Sequence, residues 1–153
     1  MNNPVVKRLL ALVITIFVLA GCSEPEPNLR SMTVAGNVSA PEGVSGPVEI
    51  WLYHEWSLEG DLRHPLQFID TFKGSLGPYE HSFDYPVDIG EGLVVYAWVD
   101  TDGDGVNCTP QVRNDLAGLT VAENADQDRV EVDVLVGEPC RGPDFFYPPA
   151  PQN

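Results

Sequence analysis

The sequence predicts an all-β fold, a single antiparallel β-sandwich of about seven strands. Three observations carry this expectation. Period-two alternation of apolar residues recurs along the chain, while helical periodicity is nearly absent. Clusters of Gly, Pro, Asn and Asp interrupt the apolar runs at short intervals. The patterned stretch, residues 32–137, has the length of one sandwich.

Each element follows in turn. Residues 32–39 set Met32, Val34 and Val38 on one face, and Pro41, Gly43, Gly46 and Pro47 then make a turn. Residues 48–55 form a second strand with Val48, Ile50 and Leu52 on one side. A polar stretch at 57–61 leads to a third strand at 66–72; Gly74 and the Gly77-Pro78 turn precede a short fourth at 79–83. Pro86, Gly90 and Gly92 punctuate the approach to the apolar run 93–99. A short strand falls within 116–121, and a turn at 124–128 precedes the cleanest alternation in the chain. There, at 129–136, Val130, Val132, Val134 and Val136 share a face. The tail 138–153 carries Pro139, Pro143, Pro148, Pro149 and Pro151 and is expected to add no regular structure.

The run Val34-Ala35-Gly36-Asn37-Val38, the strand at 48–53, the passage Tyr96-Ala97-Trp98-Val99-Asp100 into an acidic glycine loop, and the final valine strand together resemble transthyretin-like sandwich modules. Carboxypeptidase-regulatory-like domains and related bacterial surface modules share that succession. The resemblance covers residues 32–137 and implies a fold. It implies little about function, because one sandwich hosts many activities.

The amino terminus gives an address. Lys7 and Arg8 precede the apolar run 9–20, which as a helix reaches roughly 18 Å. That is short of the ~30 Å hydrocarbon core, so the run fits an export signal better than a permanent span. Leu19-Ala20-Gly21-Cys22 resembles the lipobox of bacterial prolipoproteins. The resemblance implies cleavage before Cys22, a thioether-linked diacylglycerol on its sulfur, and acylation of its new amine by a fatty acid such as palmitate. Each buried CH₂ then contributes about 0.8 kcal/mol, and two or three chains anchor firmly. The alternative is a plain secretory signal with an incidental cysteine. Ser23, where this family tends to place Asp for inner-membrane retention, favours the outer membrane. The expected organisation is a signal peptide at 1–21, a lipidated tether at 22–31, the sandwich at 32–137 and a proline-rich tail at 138–153.

The formal charge is −15, and loss of the signal's two basic residues, with no acids lost, takes the mature chain to −17. That charge excludes nucleic acid as a natural partner and argues against a peripheral grip on anionic lipid. A cationic partner stays open, beside the plainer reading of surface acids that keep a tethered protein soluble. Beyond Cys22, the isolated pair Cys108 and Cys140 in an exported chain reads as one disulfide. Closing that loop contributes about 3 to 4 kcal/mol in the chain-entropy model.

Asp100, Asp102 and Asp104 alternate at the end of the 93–99 strand, followed by Gly105. Aspartates at the first, third and fifth places with Gly at the sixth open an oxygen-ligand calcium loop, to which Val106 would add its carbonyl. The twelfth position holds Gln111 beside Pro110, so this is not an EF-hand. A closing ligand must come from elsewhere, with Asn107, Asp115 and Asp126 as candidates. The alternative is an acidic turn without metal.

If Val48, Ile50 and Leu52 face the core, Trp51 and Tyr53 face outward; by the same phase, so do Tyr96 and Trp98. These four either form a patch for a sugar or a partner protein, or lie beneath a covering loop. The usual burial of large aromatics favours the second. His54, His64 and His81, near Glu55 and Asp61, match no zinc spacing and read as surface histidines. No nucleophile motif or phosphate loop is present. The expected function is a non-catalytic binding or structural module of the cell envelope, anchored to the membrane by lipid, with an envelope protein or glycan as possible partner. The alternative is a polysaccharide-binding enzyme accessory, or an envelope enzyme, that uses the aromatic face.

Overall fold

A computed structural model describes residues 27–55, 66–88, 92–122 and 125–146. The signal peptide, Cys22, His64 and Asp61 lie outside the described residues. The described residues are all-β apart from one 3-10 turn, and their strands form two sheets packed face to face.

The strands are β1 (Leu29–Ser39), β2 (Pro47–Glu55), β3 (Gln67–Ser75), β4 (Gly77–Pro86), β5 (Gly92–Val99), β6 (Leu116–Ala122), β7 (Arg129–Glu131), β8 (Val134–Leu135) and β9 (Glu138–Pro139). One sheet has the order β4-β1-β7, with β8 also on β1; the other has the order β3-β2-β5-β6-β9. Val34, Val38, Ile50, Leu52, Leu93, Val95, Ala97, Val99, Val134 and Val136 fill the space between them. The inward phases read from the sequence are therefore the core.

Antiparallel pairing dominates, with one departure. The 129–136 segment runs parallel to β1 and breaks into two short strands. Its valines still alternate inward, because alternation is the same in either direction. The break sits at Val132-Asp133, where Val132 N donates to Ala35 O at 2.7 Å and Asn37 N donates to Asp133 Oδ1 at 2.8 Å. Gly36 permits this approach: a Cβ there would stand 1.9 Å from Val132 O.

Every residue of β5 is buried, since both of its sheet's faces are covered along this strand. The outer face carries a second apolar cluster of Tyr53, Val94, Tyr96, Trp98 and Ala117, against which Trp51, Leu119, Val121 and Phe146 pack. Phe146 belongs to the tail. That segment was expected to be irregular, yet β9 pairs with β6 and a 3-10 turn follows at Pro143–Phe145. It lies down because there is an aromatic surface to cover.

The expectation of surface histidines fails at His54, which has no exposed area. It continues the inward phase of Val48, Ile50 and Leu52 and packs against Tyr85 at a tilt, with ring centroids 4.2 Å apart. His81 is half-buried, paired with Asp70 at 2.8 Å and stacked on Phe72. The two histidines extend from different sheets.

Candidate cation loop and aromatic groove

Where β5 ends, Asp100 N donates to Pro47 O at 3.0 Å, and the chain then leaves the sheet. Gly103 and Gly105 both take φ +76°, a left-handed conformation that side chains resist. Those two turns fold the carboxylates back over the backbone. Asp100 accepts from Gly103 N at 2.7 Å and from Gly105 N at 2.9 Å, one bond to each oxygen. Asp102 accepts from Asp104 N, and Asp104 from Val106 N, each through Oδ1.

Asp115 holds the loop from below. It is fully buried, and its Oδ1 accepts from Thr101 N and Thr101 Oγ1 while Oδ2 accepts from Cys108 N at 2.9 Å. Both ends of the loop are thus tied to one side chain. Its backbone carbonyl accepts from Cys140 N, and Cys108 and Cys140 form the disulfide, with Cα atoms 5.4 Å apart. Both cysteines have positive φ, 59° and 52°.

One carboxylate oxygen from each of Asp100, Asp102, Asp104 and Asp115 can be chosen so that all four lie within 4.8 Å of one another. Within the loop, Asp102 and Asp104 each accept a backbone N–H through Oδ1. A hard, oxygen-only donor set of this kind suits calcium and gives no soft ligand for zinc or copper. Of the closing candidates, Asp115 joins the group. Asn107 turns its amide to Tyr96, and Asp126 lies near Arg30, which donates to its backbone carbonyl. Val106 is exposed, and its N–H is committed to Asp104.

The crowding is visible in the proton affinities. Burial works against the Asp100 carboxylate, yet the N–H groups of Gly105 and Gly103 and a hydrogen bond with Asp102 hold it below the ordinary range. Asp102 goes the other way. The Asp104 N–H favours its ionised form, but burial, the Asp104 and Asp115 charges and the contact with Asp100 together push it up.

Beside this loop lies the aromatic face. Tyr53, Tyr96 and Trp98 are buried, and Trp51 is half-buried, packed edge-on to Phe68 and Tyr96. Tyr96 links loop to tail: its hydroxyl accepts from Asn107 Nδ2 at 2.6 Å and donates to Arg141 O at 2.9 Å. Burial raises the Tyr96 phenol, helped by Tyr53 and by the Glu49 charge and opposed by the Asn107 hydrogen bond. Arg141 lies over the Phe146 ring, 5.1 Å from its centroid.

The cover is incomplete. A groove of about 370 Å³ remains between Val106 and Asn107 of the loop, Gly142 and Pro143 of the tail, and Glu49, Trp51 and Trp98 of the sheet. Trp51 Nε1 and Asn107 Oδ1 are buried without a hydrogen-bond partner. An adjoining recess of about 200 Å³ runs past Trp98 to Lys73 and Asp100. The sequence offered a signal for Glu49, which shares the outward phase of Trp51. It offered none for Arg141 and Phe146, whose role is set by contacts far along the chain.

No protein-family model matches the chain, and no curated protein does. Among solved structures, the chain is similar to an alternative pilotin from the type II secretion system of Vibrio cholerae. The two are 15% identical with a TM-score of 0.44, over 70% of this chain and 96% of the pilotin.

Proposed function

We propose that this chain is a non-catalytic module of the bacterial cell envelope, carried at the membrane by acylated Cys22, with a calcium ion organising the aspartate loop. The supporting observation is the convergence of four carboxylates on a loop already pre-folded by Asp115. Calcium takes six to eight oxygens, and extracellular modules bind it in about the 10⁻⁴ to 10⁻³ M range. Water and the Val106 carbonyl would complete the shell.

The transthyretin-like likeness fits this reading as a surface module. Placement at the outer membrane follows from Ser23 beside the lipobox. The lipid is tested by fatty-acid labelling of cells, where Cys22→Ser is expected to lose the label; label retained in that variant would contradict the anchor. The ion is tested by calorimetric titration of the full chain in detergent with calcium. One site is expected in the wild type and none in Asp102→Ala. Equal heats in both would remove the ion from this loop.

A further inference from the structure

We propose that the groove between the aspartate loop and the C-terminal turn seats a lysine or arginine side chain from a basic segment of a partner protein. The proposal rests on the reading of the chain as a binding module and names the chemistry of what it binds.

Among the side chains lining the groove, Glu49 is the one that carries charge at neutral pH. No hydrogen bond or ion pair engages its carboxylate among the described residues. Lys73 stands opposite it in the β2–β3 register and lines the adjoining recess, but makes no ion pair with it. The groove thus presents a carboxylate without an ion-pair partner beside the half-buried Trp51, with Asp100 at the neighbouring rim.

A cation satisfies both parts of that surface, through the Glu49 carboxylate and through the half-buried Trp51 ring. The protein already uses cation–ring contacts twice on itself, Arg141 over Phe146 and Arg30 over Tyr85. An anion would be repelled, in a chain of net charge −15. A neutral glycan could stack on Trp51 and donate hydroxyls to Glu49, yet would leave that charge unneutralised.

The test uses the full chain in non-ionic detergent with calcium at millimolar concentration, so that the loop's charge is already balanced. An oligo-arginine amide and an oligo-serine amide of equal length are titrated while the indole N–H resonances are followed by NMR. The Trp51 and Trp98 indoles are expected to shift and saturate with oligo-arginine and to stay in place with oligo-serine. Glu49→Gln is expected to weaken binding at least about tenfold. Asp84→Asn removes one exposed charge from β4 on the other sheet and is expected to change binding less than about twofold. Matching melting curves verify the fold of each variant.

Equal weakening in the two variants would reduce the effect to diffuse attraction and overturn the proposal. Unmoved indoles would also overturn it, as would indoles that respond to a chito-oligosaccharide but not to oligo-arginine. Failure here with the calcium heat intact leaves the envelope-module reading standing; loss of the calcium heat with this binding intact removes only the ion.

Discussion

Asp115 shows how much of this corner depends on one side chain. It is buried, and it accepts from two backbone N–H groups and a hydroxyl at the two ends of the aspartate loop. Hydrogen bonds to a charged group contribute about 1.5–3 kcal/mol each, and their loss leaves the donors unsatisfied. Asp115→Ala is therefore expected to cost at least about 3 kcal/mol in urea unfolding; a cost below about 1 kcal/mol would contradict the staple. His54 makes a second argument at this scale. Burial lowers its proton affinity, opposed by the backbone groups of Pro86 and Gly92. The unfolded chain therefore binds this proton more readily than the native one. Stability from this group is complete above about pH 6.5 and falls as pH drops below that value, by up to about 1.4 kcal/mol per pH unit. His54→Phe keeps the ring against Tyr85 and removes the proton. Between pH 7.5 and 5.5, urea midpoints are expected to fall further in the wild type than in the variant. Parallel falls would show that His54 does not contribute.

Among the elements, most of the sandwich was legible locally and its closure was not. The inward phases of β1, β2, β5 and the valine segment follow directly from alternation. Parallel pairing of β7 and β8 with β1 does not, because side-chain periodicity carries no information on direction. The aspartate loop was legible because Asp100, Asp102 and Asp104 sit within five residues of one another. Asp115 stood among several candidates, and the Asn107–Tyr96–Arg141 chain needed the tail in place. Gly36 marks where closure is tightest, since a side chain there would meet the Val132 carbonyl. Gly36→Ala must push β1 away from the β7–β8 break and is expected to cost on the order of 3 kcal/mol, read from the chemical denaturation midpoint. A neutral effect would mean that the two backbones are not so close.

At the scale of the molecule, the disulfide, the Asp115 staple and the Tyr96 hydrogen bonds join the loop to the tail over one face of one sheet. The loop is thus a wall of the groove as well as a cluster of acids. Calcium bound in the loop as proposed would also fix that wall and so link ion binding to groove shape. The distribution of charge fits this picture: the acids of the loop converge at one corner, where a divalent ion would turn mutual repulsion into cohesion. The most direct measurement is the thermal midpoint of the full chain in detergent, with calcium and then with chelator, for the wild type and Asp102→Ala. Calcium at about a hundred times its dissociation constant stabilises by about 2.7 kcal/mol, on the order of 10 °C for a domain of this size. The wild type is expected to melt higher by roughly that amount in calcium and the variant to show no difference. A wild-type midpoint indifferent to both calcium and chelator would contradict the account.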